Sequence, residues 1–146
     1  MENQPTSYIQ VVVYSPEGEI YNHRSKSCNV HTPEGGMSIL ANHMPIVASL
    51  DTSAIRVIRL DEEETVDYIA INGGILNFNN NRLEIATSYA IRARDIDEAK
   101  VELERQEAEA AMQSALHQHN TKEFNRAKIQ LKRAINLITV SKERKN

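Results

Sequence analysis

Residues 95–116, Asp-Ile-Asp-Glu-Ala-Lys-Val-Glu-Leu-Glu-Arg-Gln-Glu-Ala-Glu-Ala-Ala-Met-Gln-Ser-Ala-Leu, decide the fold. Here a chain of short apolar runs changes into one of alanine and straight-chain residues, which lose little rotamer freedom in a helix. Asp95 or Asp97 can cap the helix start, and the acids of the first turns complement the positive end of its dipole. Gln118-His119-Asn120-Thr121 breaks the pattern, and Asn120 or Thr121 can cap a second helix with Glu123 or Phe124 in its first turn. An antiparallel hairpin of two helices follows.

Upstream the chain is of another kind. Every Gly (18, 35, 36, 73, 74) precedes residue 75, every Pro (5, 16, 33, 45) precedes residue 46, and all aromatics but Phe124 precede residue 90. Turn residues separate β-type runs at Tyr8–Tyr14, Ser27–His31, Ile46–Ser49, Ala54–Leu60, Thr65–Ile71, Gly74–Phe78 and Arg82–Ala86. Val66, Tyr68 and Ala70 share one face of their run. Eight or more short strands in about 85 residues predict a β-sandwich or flattened barrel. No helical period appears between the strands, which disfavours parallel βαβ architecture. The fold class is α+β, with a sandwich over residues 1–90 and a helical hairpin over 91–146.

Phe124, Ala127, Leu131, Ala134 and Ile138 recur at helical spacing and predict the inner stripe of the second helix. Its expected partner stripe is Ala99, Leu103 and Ala110, interrupted by Gln106. These side chains are mostly small, so at ~25 cal/mol per Å² the hairpin is held by only a few kcal/mol. Charge divides the helices. Residues 95–110 hold seven acids against two bases, whereas residues 122–145 hold eight bases, including Arg144 and Lys145, against two acids. The whole chain carries a net charge of -3, of which residues 1–90 hold -6 and residues 91–146 hold +3.

One cysteine, Cys28, excludes an internal disulfide framework and reads as a small packed side chain. The start Met-Glu-Asn-Gln-Pro has neither a basic nor an apolar leader region, and no run approaches the ~20 residues of a membrane span, so a soluble, unexported chain is expected. Catalytic constellations are not found. His117 and His119 sit at a helix end without a cysteine or acidic set to complete a metal site. Glu62-Glu63-Glu64 reads as an exposed turn. Gly35-Gly36 and Gly73-Gly74 lack phosphate-loop spacing and are explained by turn geometry. The acidic chain and its nearly aromatic-free basic helix speak against nucleic acid.

Three motifs remain: residues 32–45, Thr-Pro-Glu-Gly-Gly-Met-Ser-Ile-Leu-Ala-Asn-His-Met-Pro; residues 70–76, Ala-Ile-Asn-Gly-Gly-Ile-Leu; and residues 92–100, Arg-Ala-Arg-Asp-Ile-Asp-Glu-Ala-Lys. In this order and spacing, over about residues 8–140, the chain resembles the epsilon subunits of bacterial and chloroplast F-type ATP synthases. Ser38 for the usual Gly and Ala41-Asn42 for Pro-Gly depart from the family pattern. The resemblance implies a ten-stranded sandwich followed by two helices, in a rotor subunit without an active site. It further implies a proton-translocating complex, with the chain held peripherally on the cytoplasmic face of the bacterial membrane.

Carried over by position, Glu34, Gly36, Asn42 and His43 are the residues for the c-ring and gamma subunit. Arg126, Lys128, Lys132 and Arg133 match the basic face that meets a beta subunit and restrains ATP hydrolysis. Some family members also bind ATP through the hairpin. Here Asp97, Lys100, Arg126 and Arg133 are the candidates, but Lys100 stands for a forked Arg, Val101 for Ala, and Glu107 where arginine is common. Weak regulatory ATP or none is expected, and no other cofactor. Two other classes are a stand-alone adaptor with a β-sandwich and coiled coil, and a small nucleotide-sensing enzyme, which requires ATP turnover by the isolated chain.

Overall fold

The computed structural model describes residues 7–143. The start Met-Glu-Asn-Gln-Pro, read as no leader, and the basic residues Arg144 and Lys145 lie outside them. The chain divides into two compact units, one ending at Arg92 and the other beginning at Ala93.

The first unit is built from β1 (Ile9–Ser15), β2 (Gly18–Thr32), β3 (Gly35–Leu40), β4 (Ile46–Arg59), β5 (Val66–Asn79), β6 (Arg82–Ala86) and β7 (Ala90–Arg92). Strand order runs β1-β6-β5-β4-β2-β3, with β7 on β5, and β1 also pairs with β2, so β1, β6, β5, β4 and β2 close on themselves. Alternating apolar residues point inward from every wall: Ile9, Val11 and Val13 from β1, Ile55 and Val57 from β4, Ile69, Ile71, Leu76 and Phe78 from β5, Leu83 and Ile85 from β6. One pairing departs from the antiparallel expectation, because β1 runs parallel to β6, with Val11 opposite Leu83.

Among the described residues seven continuous strands replace the ten expected. The runs Ile46–Ser49 and Ala54–Leu60 are halves of one 14-residue strand, β4, and the runs Thr65–Ile71 and Gly74–Phe78 fall in β5. The polar residues Asp51-Thr52-Ser53, which lie between two of the runs, and the pair Gly73-Gly74, which reads as a turn, lie inside the strands. Gly73 and Gly74 have φ of +79° and +149°. A β-carbon on Gly74 would sit 2.3 Å from the Ala86 carbonyl oxygen, so glycine here lets β5 approach β6 rather than turn the chain. Strand β7 was not expected at all. It carries the sheet to Arg92, so a boundary at residue 90 cuts through paired backbone.

The second unit opens with a 3-10 turn (Ala93–Asp95), followed by α1 (Glu98–His117) and α2 (Thr121–Glu143). Of the two candidate caps Asp97 is the one used, its carboxylate accepting from the Lys100 amide at 3.2 Å. Asn120 caps α2, its side chain accepting from the Glu123 amide at 3.1 Å.

On α2 the expected stripe holds: Ala127 and Ala134 are buried, with Phe124, Leu131 and Ile138 half-buried beside them. The α1 stripe is corrected. Leu103 is 55% exposed, and Ala99 and Ala110 also face solvent. The buried residues are Val101, Ala108 and Ala115, seven apart, answering Ala127, Ala134 and Ser141, also seven apart. This spacing is that of a coiled-coil seam. With the Ala99–Leu103–Ala110 side outward, Gln106 stays in water, its amide donating to Glu102 at 3.2 Å, whereas turning that side inward would desolvate it. At the open end of the hairpin the Ser141 hydroxyl lies 3.0 Å from Glu98 Oε2 and 2.7 Å from the Ile138 carbonyl.

Candidate functional site

The residues expected to meet partners fall into three places. Glu34 and Gly36 belong to the tight β2–β3 connection, where the Thr32 hydroxyl donates to the Gly35 carbonyl at 2.9 Å and accepts from the Glu34 amide at 3.2 Å. Both are exposed. Asn42 and His43 lie past the other end of β3. The Gly36–Leu40 stretch spans about 13 Å, so the two pairs sit at opposite ends of β3.

Asn42 takes a left-handed φ of +69°, which an asparagine tolerates. Its amide donates to Asn81 Oδ1 at 2.6 Å, tying the loop to the β5–β6 turn. His43 places Nδ1 2.7 Å from the Met44 carbonyl and its ring edge-on to Phe78, with centroids 5.9 Å apart. Around this loop Leu40, Met44, Val47 and Ile75 are exposed apolar side chains. Sequence motifs pointed to the loop but not to this apolar surround, since Val47 and Ile75 are indistinguishable in type from core strand residues.

Arg126, Lys128, Lys132 and Arg133 all project into solvent. Arg126 and Arg133, two turns apart, share a stripe with Lys122 and Ile129. Lys128 and Lys132 lie one turn apart on the adjoining side. Among the described residues Arg126 is paired within its own helix, 3.6 Å from Glu123. Among the described residues Lys122, Lys128, Lys132 and Arg133 form no ion pair with an acid of α1. Glu102 and Glu109 of α1 pair locally instead, both with Arg105.

The nucleotide candidates do not converge. Asp97 is committed to its cap, and the contact of Glu98 with Ser141 sets the ends of the hairpin side by side. Measured from the level of Lys100, Arg133 is then about 9 Å and Arg126 about 20 Å along the axis, so a phosphate group bound at Lys100 lies beyond the reach of Arg126. Among the described residues no group of three or more His, Cys, Asp or Glu could hold a metal ion. Cys28 is fully buried, and burial pushes its thiol pKa up, so it stays protonated.

Sequence reading passed over Asp67. Its Oδ2 accepts from the Tyr21 hydroxyl at 2.5 Å and from Arg59 Nε at 2.6 Å, and Oδ1 lies 3.5 Å from Arg92 Nη2. Burial raises its pKa, but the bonds from Arg59 and Tyr21 and the charges of Arg59 and Arg92 outweigh burial and hold it below the usual carboxylate range. Burial and the adjacent carboxylate push the Tyr21 phenol up.

Both units match family models. Residues 8–93 match the beta-sandwich domain of the ATP synthase Delta/Epsilon chain, and residues 94–142 match the long alpha-helix domain of the same chain. The protein belongs to the ATP synthase delta/epsilon chain family. Chains of this family are structural, non-catalytic subunits, which agrees with the absence of a catalytic arrangement from the motifs above. The fold is also that of a chain in the Euglena gracilis mitochondrial ATP synthase structure of OSCP, F1 and c-ring in rotational state 1. That match is 23% identical, with a TM-score of 0.77 over 95% of this chain and 84% of the other. A chain of the Tetrahymena thermophila mitochondrial ATP synthase central stalk and c-ring is 16% identical. Its TM-score is 0.51, over 65% of this chain and 72% of the other.

Proposed function

We propose that this delta/epsilon chain is the epsilon-type rotor subunit of a bacterial F-type ATP synthase. Its sandwich couples the gamma subunit to the c-ring, and its hairpin restrains ATP hydrolysis at a beta subunit. The carrying observation is the pair of family matches that meet at residues 93 and 94 and together cover residues 8–142. The separation of the candidate contacts along β3 supports two partners rather than one. The polar turn with Glu34 and Gly36 meets the polar loops of the c-ring, and Asn42 and His43, with exposed Met44 and Val47 beside them, meet gamma.

Two features support the regulatory half. The cations of Arg126, Lys128, Lys132 and Arg133 are exposed and uncommitted to α1, so an acidic partner gains their charge at the cost of no more than the exposed Arg126–Glu123 pair. The fully buried seam between the helices is made of small residues, Val101, Ala108 and Ala115 against Ala127, Ala134 and Ser141, whose burial is worth only a few kcal/mol. Scattered phosphate ligands support at most weak ATP binding. Among the described residues no helix is long and apolar enough to cross a membrane. In this reading attachment to the membrane runs through the complex.

The test is the variant with Arg126, Lys128, Lys132 and Arg133 all changed to Gln, added to a catalytic sector of alpha, beta and gamma subunits. It is expected to bind as the parent does and to inhibit ATP hydrolysis less. Undiminished inhibition by the variant would overturn the assignment of the basic face.

A further inference from the structure

We infer that Asp67 is a clamp on β7, and that releasing Arg92 from it lengthens the tether from the sandwich to the helices. This goes beyond the rotor reading and does not depend on it. Strand β7 is three residues long and pairs with β5 in the register Ile69–Arg92, Ala70–Ile91 and Ile71–Ala90, with the Asn72 amide donating to the Tyr89 carbonyl just before it at 3.2 Å. So short a strand has little cooperative hold of its own. Its last residue is Arg92, and the chain then runs directly into the 3-10 turn and α1.

The side chain of Arg92 is 15% exposed and lies over the Tyr21 ring, 5.3 Å from its centroid. Asp67, two residues before Ile69 on β5, reaches the same guanidinium. The carboxylate serves its partners unequally. Arg59 and Tyr21 are held by bonds of 2.6 and 2.5 Å between residues inside the long strands β2, β4 and β5. Arg92 Nη2 stands 3.5 Å away and is buried without a hydrogen bond. Two guanidinium cations thus share one carboxylate, and the one on β7 holds the weaker share. Leaving a buried donor unsatisfied is costly, so the contact stores a tendency to open toward water.

The consequence is geometric. Undocking β7 adds three residues to the connection, up to about 10 Å of reach. The stronger half of the network stays in the sandwich, so β7 is released without unfolding the sheet.

Hydrogen exchange on the full chain tests this, with Arg92→Gln and Asp67→Asn alone and together. Each single substitution is expected to raise exchange of the β7 amides at least tenfold while the β6 amides change less than twofold. The double variant is expected to exchange no faster than the faster single, because both remove one interaction. Unchanged β7 exchange in Arg92→Gln overturns the clamp, and so does equal acceleration of β6 and β7. Multiplying effects in the double variant overturn the pairing. If Asp67→Asn does not fold, Arg92→Lys decides: it keeps the charge without the fork, and a β7 rate between those of the parent and Arg92→Gln sustains the proposal, whereas a rate at or outside either limit overturns it.

Discussion

The backbone amide of Asn120 donates to the carbonyl of Ala115 at 2.9 Å, and that of His119 to Leu116 at 3.1 Å. Together these bonds form a Schellman ending for α1, and Asn120 is at once the residue closing α1 and the cap opening α2. The position between them, which favours glycine, holds His119 at a φ of +54°.

His119→Gly therefore relieves left-handed strain at the tip of the hairpin, partly offset by the greater freedom of glycine in the unfolded chain. We expect a net stabilisation of about 0.5 kcal/mol, seen as a raised unfolding midpoint of the helical unit by circular dichroism. A lowered midpoint would mean that the imidazole makes a contact the backbone geometry does not require.

The seam gives a sharper contrast. Ala108 is buried between the helices, whereas Ala110, on the same helix, faces solvent. Ala108→Leu should cost about 1–3 kcal/mol by overpacking, and Ala110→Leu should change stability by less than about 0.5 kcal/mol. The reverse ranking would restore the Ala99–Leu103–Ala110 stripe as the true contact face.

Asp67 makes the sandwich sensitive to acid. Its folded pKa lies below its unfolded value near 3.9, so the stabilisation is complete above about pH 4 and is lost as pH falls through the folded value. Unfolding free energy of the parent should therefore drop more steeply below pH 4 than that of Asp67→Asn. Parallel curves would show that Asp67 is not the group responsible.

Much of this was legible from residue type. The change at Asp95 from alternating runs to alanine and straight-chain residues marks the helices, and Asn120 marks the break between them. Local signals failed where tertiary pairing decides. Gly73-Gly74 reads as a turn, yet it lies inside β5 because glycine there fits against Ala86. Ala90-Ile91-Arg92 is too short to announce a strand and exists by pairing with β5. Small residues seven apart, Val101, Ala108 and Ala115, were overshadowed by Leu103, whose bulk suggests a core that its helix face does not enter. Asp67 looks like any surface acid until Arg59, Tyr21 and Arg92 are brought around it from three strands.

The most direct test of the rotor reading is ATP hydrolysis by a purified sector of alpha, beta and gamma subunits, with and without the full chain in excess. The account expects the chain to bind the sector through gamma and to lower the hydrolysis rate. A chain that does not bind, or that binds and leaves hydrolysis unchanged, would contradict it, the first result removing the coupling role and the second the regulatory one.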